Sequence, residues 1–164
     1  MGSAENSQLR EIEIQEIIDA LDSFHTQSWI VVHLSLALKD RLERQAASFL
    51  LSEELEEKAQ ESMKHAKKLA ERIAELGETD TGNPTEFLML SPLNRFYMPS
   101  SNSNVNVILS YILELEQSSI RAYDDFLYRI KDNDYITYHV LREILEDKVR
   151  RESEMKSILA VDRT

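Results

Sequence analysis

The chain has 164 residues, 30 of them acidic and 19 basic, for a net charge of −11, and it contains no cysteine. That excludes a disulfide framework, Cys-ligated zinc and a thiol nucleophile, and it disfavours nonspecific binding to nucleic acid or anionic membranes while mildly favouring cations. Three glycines and three prolines stand where an average composition gives roughly twenty of the two together, which excludes a meander of short strands and, with no GxG or Walker-type run, a Gly-rich phosphate loop.

Gly2 falls in residues 1–7, read as a disordered end or an expression scar; the other breakers, Gly77, Gly82, Pro84, Pro92 and Pro99, cluster in one stretch. Residues 4–76 carry no breaker, and a single helix of that length, roughly 110 Å, is implausible in a domain of this size. A fold-back is therefore expected at Ala46–Ser52, where Ser48 or Ser52 can act as N-cap and Glu53-Glu54 suits a helix N-terminus. The first helix runs from about Gln8 to Arg44 and carries Ile14, Ile17, Ile18, Leu21 and Phe24. Its Trp29-Ile30-Val31-Val32 segment is apolar nearly all round, which suits either a subunit interface or burial inside the monomer. The second helix runs from Glu53 to Leu76 and stops at Gly77. Leu55, Ala59, Ser62, Ala66, Leu69, Ile73 and Leu76 form its stripe, at spacings of three or four.

Residues 77–104 hold the breakers, with Glu86–Met98 apolar enough for a short surface helix. Asn104 or Ser103 can cap a third helix, about 105–131, with Ile108, Ile112, Leu115, Ser119, Ala122 and Phe126 in register. Lys131-Asp132-Asn133-Asp134 is a turn. A fourth helix then runs to about Ala160, bearing Leu141, Ile144, Leu145, Lys148, Met155, Ile158 and Leu159, and 161–164 is a tail. Short links make antiparallel neighbours, whereas a link of about 28 residues can cross a helix of roughly 36 Å. The expectation is an all-α, single-domain four-helix bundle over 8–160 with one long crossover between its second and third helices. With no apolar run of 18 residues and no signal-peptide pattern, a cytoplasmic location and no membrane partner are expected.

The polar residues that break the stripes carry the functional signal. Ser62 is on the second helix's stripe, with His65 at its edge and Glu61 just outside. Glu116 sits inside the apolar arc of the third helix, Lys148 squarely on the fourth helix's stripe, and Arg151 one turn later. On the first helix His25 interrupts the run between Leu21 and Val32. A buried lysine is costly unless a carboxylate meets it, and Glu116 and Glu61 are the candidates, with Arg151 able to share one. Converging carboxylates and imidazoles can instead bind iron, manganese or zinc. The two readings use the same residues and differ in where the positive charge comes from.

The segment EELEEKAQESMKHAKKLAERIAELG (Glu53–Gly77) resembles helix B of the ferritin superfamily, most of all bacterioferritins and Dps-like proteins, through MKHA (Met63–Ala66) and Arg72-Ile73. ILELEQSSIRAY (Ile112–Tyr123) and REILEDK (Arg142–Lys148) are similar to that family's third and fourth helices, so the resemblance covers most of residues 50–160. It implies a ferritin-like bundle. It also implies a di-iron centre made of one Glu from each of helices A and C and a Glu-x-x-His pair from B and D. Position by position, His65 and Glu116 match. Ser62 replaces the helix-B Glu with Glu61 displaced by one, Lys148 and Arg151 replace the helix-D pair, and Ser23, Phe24 and His25 stand near the helix-A position. Met63 matches the residue that binds haem at the bacterioferritin dimer interface.

Two cations would repel a di-iron centre strongly in a low-dielectric interior, and an arginine does not give up its proton. The resemblance therefore implies a ferritin-like subunit in iron handling or oxidative-stress protection whose ferroxidase centre has become a salt-bridge layer of Glu116, Lys148 and Arg151. No catalytic residue is assigned; any retained activity would be ferrous-iron or peroxide oxidation. A displaced metal site would use His25, Glu61, His65 and Glu116. Iron or no metal at all, and haem through Met63, are the cofactor expectations. With four residues after Ala160, no fifth helix is expected; the resemblance ties that helix to the larger ferritin shell, so the expectation is a homo-oligomer, dimer or twelve-subunit cage. An active paralogue is a further expected partner. The alternative is a metal-free helical structural or interaction protein on the same scaffold.

Overall fold

The computed structural model describes residues 2–44, 49–78, 100 and 103–162. Among these are four helices and no strand: α1 (Gly2–Arg44), α2 (Phe49–Glu75), α3 (Val105–Ile130) and α4 (Tyr135–Asp162). None is long and apolar enough to cross a membrane. Glu86–Met98, and Ala46 and Ser48 in the expected fold-back, lie outside the described residues.

Two expected boundaries move. The α1 backbone is already helical at Gly2, six positions before Gln8. The second helix starts at Phe49, not Glu53, because fully buried Leu51 extends the stripe of Leu55 by one turn. Ser52 is therefore no cap: it lies inside α2, and its hydroxyl donates to Glu43 at 2.9 Å.

The other ends follow local chemistry. Gly77 adopts φ +95°, Gly77 N–H donates to Ala74 O, and Glu78 N–H reaches back to Ile73 O at 3.2 Å. This is a Schellman stop, which a left-handed glycine makes without strain. Asn104 caps α3 by accepting from Val107 N–H at 3.0 Å. Asp134 caps α4 through Thr137 N–H at 3.0 Å. Arg72 of α2 reaches the same place, donating to both Asp134 oxygens (3.2 and 3.0 Å) and to Thr137 Oγ1 (2.8 Å). The C-terminal end of α2 is thereby tied to the α3–α4 turn.

The main pairings are α1 with α2 and α3 with α4, joined by α2–α4 and α1–α3 contacts. Two apolar clusters fill the interior. One gathers Ile17, Leu21 and Phe24 with Leu69, Ile73, Tyr123, Phe126, Leu141 and Ile144, with Phe24 stacked on Tyr123 at 4.0 Å between centroids. The other gathers Leu38 and Leu42 with Leu51, Leu55, Ile108, Ile112 and Met155. Passing from one cluster to the other gives each helix a direction. α1 and α4 run from the first to the second; α2 and α3 both run from the second to the first. α2 and α3 are therefore parallel, the relation that the expected long crossover requires. Between the clusters lies a polar layer.

Trp29-Ile30-Val31-Val32 splits across α1: Val31 and Val32 are buried, whereas Trp29 is 38% and nearby Leu36 is 43% exposed. Ile14, expected on the stripe, is exposed.

Candidate functional site

Glu54, Lys58, Glu61 and His65 follow one another at spacings of four, three and four, so α2 turns all four toward its neighbours α3 and α4. Glu116 comes from the middle of α3, and Asp147, Lys148, Arg150 and Arg151 from the middle of α4. The layer has an inner part and a rim.

The inner part is a buried triad. Glu116, 3% exposed, accepts from Lys58 Nζ on one oxygen, while Lys148 Nζ lies 3.6 Å from the other. Lys148 also sits over the Tyr123 ring, 5.4 Å from its centroid. Burial alone would raise the Glu116 carboxyl, but the Lys148 and Lys58 ammonium groups and the Lys58 hydrogen bond hold it at about 2. Burial lowers Lys148, and the second ammonium nearby adds to that, against the pull of Glu116. Two ammonium groups and one carboxylate leave this dry volume with a positive excess, which the depressed Lys148 relieves.

The rim is built around Arg151. Its Nη1 meets Glu54 (3.0 Å), Glu57 (2.9 Å) and Glu154 (3.2 Å), and its Nε meets Glu61 at 3.1 Å. Burial would lower Arg151, but the hydrogen bonds it donates to Glu57, Glu54 and Glu61 raise it, so it stays charged. Burial raises the Glu54 carboxyl against the pull of Arg151. Arg150, half exposed, holds the other Glu61 oxygen at 2.5 Å and also contacts Asp147 and Glu154. His65 Nε2 pairs with Asp147 Oδ2 at 3.0 Å, and His65 Nδ1 is buried with no hydrogen-bond partner. Burial lowers the imidazole below its usual value, partly opposed by Asp147.

The structure thus brings Glu116 and Lys148 together, and places Arg151 on Glu61 and the other rim acids. Among the described residues the His and carboxylate group whose ligand atoms converge, within 4.8 Å, is Glu61, His65 and Asp147. Neither Glu116 nor His25 is in that group, so the four-residue displaced metal site does not assemble as expected. Glu116 faces lysines, and His25 Nε2 accepts from Trp29 Nε1 at 3.1 Å one turn along its own helix. Met63 is 39% exposed, on the other side of α2 from the layer.

Lys58 and Asp147 are among the participants not singled out in the sequence, with Glu57, Arg150 and Glu154 of the rim. Lys58 had a signal, since 55, 58, 62, 65 and 69 alternate by three and four and put it on the stripe. Asp147 had none beyond standing next to Lys148. A groove of about 470 Å³ between α3 and α4, lined by Asp124, Tyr128, Tyr138 and Arg142 among others, shares no residue with the layer.

A family model described as ferritin-like domain matches residues 41–164. Among solved structures, the bacterioferritin-related protein of Bacteroides fragilis, described as a dodecameric thioferritin, superposes with a TM-score of 0.83 at 19% identity, over 98% of this chain and 95% of that one. The bacterioferritin of Desulfovibrio desulfuricans, whose structure describes a di-iron site in different catalytic states, gives 0.76 at 23% identity, over 91% of this chain and 81% of that one. Comparison with curated proteins gives no match.

Proposed function

The chain belongs to the ferritin-like domain family, and from that premise we propose that it is a subunit for iron handling or oxidative-stress protection whose own di-iron oxidation chemistry has given way to a salt-bridge layer. The observation that carries this reading is the Lys58–Glu116–Lys148 triad. A di-iron centre of the family type needs four carboxylates and two imidazoles; the matching positions supply Glu116 and His65, with Ser62, Lys148 and Arg151 in three of the remaining places and Ser23, Phe24 and His25 near the fourth. The one carboxylate is already compensated by two ammonium groups, and the residues present do not fit two ferric or ferrous ions. Iron here is cargo or substrate of an assembly, and this subunit's residues hold the bundle shut at the place where the chemistry would run.

Half-exposed Trp29 and Leu36, seven residues apart on one face of α1, and exposed Met63 on α2 support a homo-oligomer in which those helices meet a second copy. An accessible Met63 thioether also supports haem held between two copies, where it would supply redox chemistry. An active paralogue as co-subunit is consistent with the same face.

The test is ferrous iron added aerobically to purified protein, followed optically. The reading predicts no ferroxidation above the uncatalysed rate. A fast ferroxidase phase that disappears in Glu116→Gln overturns it. For the haem arm, a Soret band on titration that Met63→Leu abolishes is the supporting result, and a titration without that band removes haem from the account. Size by light scattering separates a cage or dimer from a monomer.

A further inference from the structure

We propose that Glu61, His65 and Asp147 form a mononuclear site for a first-row divalent cation of the zinc type, on the seam between α2 and α4. It uses none of the inner triad, and of the positions that match the family's di-iron set it keeps only His65.

Four observations converge. Glu61 and His65 are four residues apart on one helix, so the backbone sets the carboxylate and the imidazole on the same face, and Asp147 closes the third side from α4. Their ligand atoms lie within 4.8 Å of one another, close enough for one ion with water completing the coordination. His65 is buried and presents Nε2, not the unpartnered Nδ1, to Asp147 Oδ2 at 3.0 Å, so a cation entering there takes the place of the proton the two share. Finally, the linked rim holds the carboxylates of Glu54, Glu57, Glu61, Asp147 and Glu154 against the two guanidinium groups of Arg150 and Arg151, so a divalent cation reduces an existing negative excess.

The inner triad has the opposite sign and repels the same ion. An imidazole with two carboxylates suits zinc, manganese or ferrous iron better than magnesium or calcium.

Both Glu61 oxygens are engaged, one by buried Arg151 at 3.1 Å, and Arg150 is the competitor free to leave. It occupies the other Glu61 oxygen and approaches Asp147 at 3.5 Å, but it is half exposed and also reaches Glu154 at 3.4 Å. An arriving cation displaces it toward Glu154, while Arg151 keeps Glu54 and Glu57. The site therefore has a signed signature: removing a positive side chain strengthens it.

The experiment is equilibrium dialysis of the full chain against Zn²⁺, with Co²⁺ absorption as a spectroscopic readout and circular dichroism to verify folding. The expected result is one ion per chain. His65→Ala and Asp147→Asn should each weaken binding by more than about tenfold, the loss seen even for residues that only orient a metal ligand. Arg150→Gln should tighten it, and His139→Ala, which removes the exposed His139–Glu143 pair on the same helix, should change nothing. Zinc bound equally by wild type and Asp147→Asn, loss in His139→Ala instead, or weaker binding by Arg150→Gln each overturns the proposal. Should His65→Ala fail to fold, the half-exposed Asp147 and Arg150 variants decide alone. Two ions per chain that depend on Glu116 would sink the proposed function and leave this site to its own variants.

Discussion

The Lys58–Glu116–Lys148 triad and the Glu61–His65–Asp147 group are built from the same helices, yet they answer opposite electrostatic demands. Inside, water is excluded, Glu116 is paired from both sides, and the excess charge is positive. At the rim, Asp147 and Arg150 reach solvent, several acids share two guanidinium groups, and the excess is negative. Burial is what separates them: a few ångströms of depth turn an exchangeable surface network into a fixed structural charge cluster. Removing one partner should therefore be severe in the first and mild in the second.

Glu116→Gln tests this most harshly. It leaves two ammonium groups buried without a carboxylate and should cost about 3–5 kcal/mol in denaturant unfolding. A loss as small as that of a surface pair would remove the contrast. The pH dependence reads the same group. Its folded value of about 2 lies below the ordinary 4.5, so its contribution is complete above the unfolded value and is lost as pH falls through about 2. Acid unfolding of wild type should steepen in that window, and Glu116→Gln should flatten it.

Lys148→Met sharpens the comparison in the other direction. It keeps the Lys58–Glu116 pair and removes the unbalanced charge, so it should stabilise by about 1–4 kcal/mol, as hydrophobic replacement of buried ions often does. Because Lys148 is lowered in the fold, its charged form costs stability at neutral pH. Wild type should gain stability as pH rises through the folded value toward 10.5, and Lys148→Met should not. Thermal melts across that range read both. Asp147→Asn, at the half-exposed rim, should change stability by less than about 1 kcal/mol.

Much of the fold was legible because local chemistry enforced it. Gly77 could stop α2 only as a left-handed residue, Asn104 had the side chain to cap α3, and the charged 131–134 run could not continue a helix. The start of α2 was not legible, because Ser52 looks like a cap and only the burial of Leu51 shows that the helix begins earlier. The layer was half legible. Glu116 and Lys148 broke apolar stripes, and such breaks must be compensated somewhere. Lys58 lies on the stripe by spacing but stands in the charged run Glu56-Glu57-Lys58, and Asp147 becomes a partner of His65 only when α4 docks against α2. The Arg72–Asp134–Thr137 tie joins residues far apart in sequence that share no periodic signal.

The most direct measurement is iron stoichiometry and oxidation on the purified full chain, loaded anaerobically with ferrous iron and then exposed to oxygen. The account predicts at most one ion per chain, held by Asp147 and His65, and no ferroxidase phase. Two irons per chain oxidised together, with Glu116 required, would contradict it.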